Sequence, residues 1–281
     1  MIPRRSVVRG TWRACLFLLL TGVLVPPYLL FRGLRPSWAW KVARMWNRGC
    51  VRIAGLVVRR YGRPCESRPA LLVSNHVSYL DIPVLAAAVD CVFVAKREVA
   101  GWPLIGYLAR IARTVFIDRI AMQAPAQCRL LRKRMARGDN LLFFPEGTSS
   151  DGSALLPFKS SLFESASDGG AGLAAPLQPI SIAYVRFRDG TAFEGEERLL
   201  YAWCGDAIML PHLWSVLTLP GAEVVLHFHP PVLPEAFASR KELADYARRM
   251  IADGLESSLR GARPGLIADD AGVDGRPAIA G

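Results

Sequence analysis

Two short stretches of this 281-residue chain carry the residue types of proton-transfer chemistry. In Asn75-His76-Val77-Ser78-Tyr79-Leu80-Asp81, a histidine precedes a carboxylate by five positions. A carboxylate beside an imidazole fixes its tautomer and stabilises its cation, leaving the second ring nitrogen to accept a proton. Alone, Asp81 also reads as a helix cap and His76 as an ordinary loop residue. The second stretch, Phe144-Pro145-Glu146-Gly147-Thr148, adds a carboxylate, a hydroxyl and a glycine free to take backbone conformations closed to other residues. With both stretches present, the reading turns toward a catalytic base and its partner. His227 and His229 share one face of a strand, but no cluster of Cys, His or carboxylates completes a metal site there, so no metal is expected. The chain has no G-x-S-x-G elbow for a serine nucleophile.

These residues need a scaffold. From Ala70 onward, short apolar runs alternate with helical patterns. Strands are expected at Ala70–Ser74, Cys91–Ala95, Thr114–Ile117, Asn140–Phe144, Leu177–Tyr184, Arg198–Trp203 and Ala222–His229. Helices are expected near Ile82–Val89, Pro103–Arg113, Pro125–Arg137, Lys159–Ser167 and Ser239–Arg260. Ser239 and Glu242 make a capping box at the start of the last helix, and Gly261 and Pro264 follow its end. Such alternation predicts an α/β fold, a mostly parallel or mixed sheet flanked by helices. His76 then lies at a strand end and Asp81 at a helix start.

Ahead of that domain, residues Ala14 to Phe31 carry no charge and span roughly 27 Å as a helix, against a hydrocarbon core of about 30 Å. Pro26-Pro27 interrupts the segment, and arginines flank it on both sides. Both basic flanks fit a kinked, re-entrant anchor at least as well as a single span. A second helix, about Ser37 to Arg60, bears a stripe of Lys41, Arg44, Arg48 and Arg52 beside Trp38, Trp46 and aliphatic residues, the pattern of a helix in the headgroup plane of an anionic leaflet. The division read from the sequence is therefore an anchor (1–36), an interfacial helix (37–62), a catalytic domain (63–261) and a disordered tail (262–281). Hydrophobic residues make up 52% of the chain, mean hydropathy is +0.23 and net charge is +11. That balance favours an anionic membrane surface; nucleic acid is not an expected partner, because no motif for it is present and the basic residues cluster beside hydrophobic anchors. Six scattered cysteines without CxxC spacing indicate reduced thiols, hence a domain on the cytoplasmic face of the inner membrane.

Three stretches taken in order, Asn75-His76…Asp81, Phe116-Ile117-Asp118-Arg119 and Phe144-Pro145-Glu146-Gly147-Thr148, with Leu177-Gln178-Pro179-Ile180-Ser181 as a fourth, resemble the glycerolipid acyltransferases typified by 1-acylglycerol-3-phosphate O-acyltransferase. The resemblance implies a membrane-bound O-acyltransferase moving a fatty acyl group from acyl-CoA or acyl carrier protein to the free hydroxyl of a lysolipid, with no bound cofactor. It implies His76 as base and Asp81 as its orienting partner. Arg119, Glu146, Gly147 and Thr148 would serve acceptor binding, and the turn at 146–148 is a candidate for oxyanion donors. One departure matters: the family's third motif commonly continues with an arginine placed for phosphate, and Ser149 stands there, followed by Asp151. Lys159 is the candidate to restore the charge. Lysophosphatidic acid is the first acceptor implied, to give phosphatidic acid in phospholipid biosynthesis. A lyso-ornithine lipid, whose head is an amino acid, is the alternative, and a membrane-binding scaffold without catalysis the second.

Overall fold

The computed structural model describes residues 5–118, 124–167, 175–193 and 195–261. The expected tail, 262–281, lies outside them. Seven strands form one mixed sheet: β1 (Val57–Tyr61), β2 (Leu71–Ser74), β3 (Val92–Lys96), β4 (Val115–Ile117), β5 (Leu141–Phe143), β6 (Leu177–Phe187) and β7 (Ala222–Phe228), in spatial order β1-β7-β6-β2-β5-β3-β4. Strands β6, β2, β5, β3 and β4 run parallel; β7 is antiparallel to β6, and β1 parallels β7. Alternation along β2 divides the core between the two sheet faces. Leu72 packs with Ile180, Leu226, Val84 and Val216 on one side. Leu71 and Val73 pack with Leu141, Phe143, Leu131 and Ile251 on the other. This is the α/β architecture expected, and all six cysteines are free thiols.

The helices are α1 (Val7–Leu34), α2 (Pro36–Ile53), α3 (Asp81–Ala88), α4 (Ile105–Ile111), α5 (Ala124–Met135), α6 (Met209–Thr218) and α7 (Arg240–Leu259). Ser6 caps α1 by accepting the Arg9 amide, and Ser239 caps α7 by accepting that of Glu242.

Several elements differ from the sequence reading. The apolar segment does not break at Pro26-Pro27; α1 runs through both to Leu34. The turn beyond the prolines is held from outside, where the Tyr28 hydroxyl and Arg32 both donate to the Ile111 carbonyl at 2.9 and 3.0 Å. The second helix ends at Ile53 rather than continuing to Arg60. Gly55, at φ +76°, terminates it: the Gly55 amide bonds the Arg52 carbonyl and the Leu56 amide the Val51 carbonyl, both orphaned at the helix end. The β-branched pair Val57-Val58 then enters edge strand β1. Residues 198–203 are no strand; a 3₁₀ turn occupies Gly195–Leu200, and the Trp203 amide bonds the Val77 carbonyl at 2.9 Å. With β1 covering β7, the segment docks on the loop after β2 instead of on a sheet edge. Lys159–Ser167 shortens to a 3₁₀ turn, Ser160–Ser165. Pro211-His212-Leu213-Trp214 lies in α6, where Trp214 stays 43% exposed and His212 Nδ1 meets the Tyr79 hydroxyl at 2.9 Å.

Both ends of α1 are fastened to the domain. At its start Arg9 donates to the Thr218 carbonyl, and Arg13 to those of Leu217, Leu219 and Pro220, neutralising the C-terminal end of α6. At its end Tyr28 and Arg32 reach α4. Leu18, Leu19, Val23 and Leu30 on its outer side remain more than half exposed.

Candidate active site

The site forms where two parallel neighbours end. Because β2 and β5 pair in register, Leu71 beside Leu141 and Val73 beside Phe143, the loops leaving their C-terminal ends emerge side by side. One carries His76, the other Glu146, and seventy residues of sequence separation close to a hydrogen bond.

In the first loop, His76 Nδ1 lies 2.8 Å from Asp81 Oδ2. The same oxygen accepts the Val77 and Ser78 amides at 2.7 and 2.9 Å, and Oδ1 accepts the Tyr184 hydroxyl at 2.9 Å. Burial, with Asp81 beside it, holds the Tyr184 phenol well above its usual range, so Tyr184 stays a donor. A carboxylate addressed by two amides and a phenol acts as an acceptor toward the ring as well. Nδ1 therefore carries the proton and Nε2 presents its lone pair. Asp81 is fully buried, whereas the His76 side chain keeps 18% of its surface exposed. Phe144 stacks on the imidazole, centroids 4.0 Å apart and planes 12° off parallel, which fixes the ring's orientation. Among the described residues, no protein group bonds Nε2. The expected helix cap is not what Asp81 does: Leu80 holds the cap position without a side-chain bond, and the Asp81 oxygens turn back into the loop.

Asn75 pins the loop to β6, its amide donating to the Ile182 carbonyl at 2.9 Å and accepting the Ile182 amide at 2.8 Å. Glu146 joins the two motifs. Its Oε1 accepts the His76 amide at 2.8 Å and its Oε2 the Leu156 amide at 2.9 Å. At 4% exposure the carboxylate faces inward, and its two oxygens brace the backbone at His76 and Leu156. Burial raises its pKa, and the two amides oppose that rise.

Gly147 sits at φ +78°, and a Cβ there would come within 2.9 Å of Lys159 Nζ. The turn thus needs glycine for its backbone and for the ammonium group beside it. Its own amide bonds the Phe144 carbonyl at 3.2 Å, so it is not an open oxyanion donor. The Lys159 amide bonds the Pro145 carbonyl, which places an exposed lysine at the third motif. Thr148 is exposed. Ser149, in contrast, is buried and donates to the Trp203 carbonyl. Asp151 accepts the Ser153 amide and hydroxyl, which pull its pKa down.

Arg119 lies outside the described residues. The strand before it, β4, ends at the same sheet edge as β2, three strands or about 14 Å away. Asp118 is held by Arg97, whose Nε approaches both carboxylate oxygens at 2.7 and 2.8 Å. Tyr184 went unmarked in the sequence because nothing in a strand's apolar run signals a phenol reaching Asp81 from 103 residues away. Among the described residues, no group of three or more His, Cys, Asp or Glu side chains is placed to hold a metal ion. His229 instead pairs with the Ser181 hydroxyl at 2.6 Å in the core, and burial pushes its pKa down to about 3.

A histidine–carboxylate pair at the C-terminal edge of a mixed sheet, beside a helical hairpin with an exposed apolar face, fits an acyltransferase of the glycerolipid kind. The chain belongs to the acyltransferase family: the profile described as Acyltransferase matches residues 56–183. It is 42% identical to a lyso-ornithine lipid O-acyltransferase of Rhodobacter capsulatus, over 82% of this chain and 81% of that protein. It is 34% identical to a 1-acyl-sn-glycerol-3-phosphate acyltransferase of Neisseria gonorrhoeae, over 75% of each. The crystal structure of the 1-acyl-sn-glycerophosphate acyltransferase PlsC from Thermotoga maritima superposes with a TM-score of 0.66, covering 92% of this chain and 96% of that one. At 23% identity, that likeness speaks to the fold.

Proposed function

We propose that this enzyme acylates the free hydroxyl of a lysolipid whose head is an amino acid, a lyso-ornithine lipid, with acyl-CoA or acyl carrier protein as donor. His76 Nε2 takes the hydroxyl proton as the oxygen attacks the thioester carbonyl; the carbon–sulfur bond breaks and the thiol leaves with a proton. Asp81 holds the tautomer and stabilises the imidazolium. Ser149 is the observation that carries the acceptor choice. Where related motifs place an arginine for phosphate, this chain has a hydroxyl turned inward onto the Trp203 carbonyl. Lys159 and Asp151 remain as charges of opposite sign on the third motif and the loop after it. Such a pair matches a head bearing both carboxylate and ammonium better than it matches a phosphate dianion. The order of identities, 42% against 34%, points the same way and favours the alternative over the first acceptor implied by the motifs.

The test offers the purified enzyme lyso-ornithine lipid and lysophosphatidic acid in parallel, each with both donors. The expected result is turnover of the ornithine lipid exceeding that of the phosphate acceptor. In Lys159→Ala, KM for the ornithine lipid should rise about tenfold, the worth of one solvent-accessible charged contact, with kcat little changed. Faster turnover of lysophosphatidic acid would return the assignment to phosphatidic acid synthesis.

The reading extends to the membrane. With both ends of α1 tied to one domain, the helix lies along the protein surface and inserts its apolar side into a single leaflet. The cytoplasmic leaflet is the proposed one. Single cysteines placed at Val8 and Leu34 of a cysteine-free variant should then both react with a membrane-impermeant reagent from the same side of sealed vesicles. Labelling from opposite sides would mean a span.

A further inference from the structure

Away from the candidate active site, α1, α2, α4, α5 and the residues before β4 line an open cavity of about 570 Å³. Four guanidinium groups line it, from Arg32, Arg110, Arg113 and Arg134, beside Tyr28 and Trp40. No lining residue is acidic. Arg113 and Arg134 share Asp139 Oδ2 at 2.8 and 3.0 Å, and Arg134 also bonds the Arg113 carbonyl. Arg32 and Arg110 donate to backbone carbonyls, those of Ile111 and Ala100. One carboxylate thus stands against four cations that each have further N–H donors to offer.

A further feature marks the cavity as a place for an anion. Pro36 and Ala39, from the first turn of α2, form part of its wall. This 18-residue helix has no side-chain cap; Pro36 lacks an N–H and the Trp38 and Ala39 amides bond the Arg35 carbonyl, so the terminus contributes its dipole and not a set of open amides. Arg113 adopts φ +68°, the left-handed conformation that favours glycine.

The location separates this cavity from acyl transfer. Thr114 and Asp139 precede β4 and β5, so the arginines gather at the N-terminal ends of the parallel strands, whereas His76 follows the C-terminal end of β2. Outside the lining, exposed apolar residues neighbour it along the chain: Leu34 and Trp38 flank Pro36 at the α2 start, and Leu104 and Tyr107 precede Arg110. A soluble anion has no use for that surface, while a lipid does.

We propose that the cavity binds the phosphate headgroup of an anionic bilayer phospholipid, one that is not the acceptor undergoing acylation. The guanidiniums take the phosphate oxygens, and the α2 dipole adds attraction. Leu34, Trp38, Leu104 and Tyr107 contact the glycerol and upper acyl carbons. Bound lipid would fix the hairpin at a defined depth and orientation, independently of which acceptor the active site takes.

The experiment uses the full chain in mild detergent, mixed with equal amounts of phosphatidylglycerol and phosphatidylcholine, and counts retained lipids by native mass spectrometry. Wild type should keep one phosphatidylglycerol. Retention should fall about thirtyfold in Arg32→Gln/Arg110→Gln, at roughly a factor of five per basic residue lost. Arg48→Gln/Arg52→Gln, which removes equal charge from exposed positions of α2, should retain the lipid. Cooperative thermal unfolding checks that each variant is folded, and Arg110→Gln alone serves if the pair is not. Equal loss in both double variants, undiminished retention in Arg32→Gln/Arg110→Gln, or displacement of the lipid by millimolar glycerol phosphate would overturn the proposal. The last result would reassign the cavity to a soluble phosphate compound.

Discussion

Replacing His76 with alanine is expected to lower acyl transfer by about two to four orders of magnitude, the usual contribution of a positioned general base. The protein should remain folded. The imidazole is only part-buried, and what its removal strips from Asp81 is one of four donors, since the Val77 and Ser78 amides and the Tyr184 hydroxyl stay in place. The loop is held separately by Asn75 on β6 and by the bond from the His76 amide to Glu146, a backbone contact that alanine keeps. The measurement is kcat/KM alongside a melting curve. Near-normal turnover by a folded variant would remove His76 from the mechanism and reopen the scaffold reading.

Asp81→Asn carries the second large effect, and its outcome can be worked out atom by atom. Three donors converge on Oδ2, so the variant's oxygen must take that place and its NH₂ group must face Tyr184. The phenol can turn to accept, so the fold survives at a cost of about 1–3 kcal/mol for the disturbed buried network. The negative charge is lost, however, and with it the stabilisation of the imidazolium formed as the hydroxyl is deprotonated. The expected loss is about two to three orders of magnitude in kcat with KM nearly unchanged, because the interaction is made in the transition state. The double variant His76→Ala/Asp81→Asn should be no slower than His76→Ala alone. If the two losses multiply instead, the residues do not act as one unit. Asp81→Ala is the structural contrast: it leaves several buried donors unpaired, each worth about 1–3 kcal/mol, and should melt far below the asparagine variant.

The sequence by itself determined most of the elements and the meeting of His76 with Asp81. Five-residue spacing between His76 and Asp81 spans one loop, so their meeting follows from local geometry, and apolar runs of strand length followed by helical patterns define an α/β sheet whatever its strand order. Local rules failed where a competing local signal was misjudged. Gly55 stops α2 seven residues before the amphipathic pattern fades, and two prolines were credited with breaking a helix whose far turn is held by contacts to α4. Only the tertiary structure decided what meets across long separations. Glu146 stands behind His76 because β2 and β5 are adjacent and parallel, a fact of strand order that no periodicity encodes. Tyr184 reaches Asp81 because β6 flanks β2 on the other side. Residues 198–203 have a strand's composition, yet the Trp203 amide docks on the loop after β2 and not on a sheet edge. The inward turn of Ser149, the ammonium group beside Gly147 and the four arginines around one cavity likewise belong to packing: each depends on which backbone a side chain finds opposite it, and that is fixed only once the layers close.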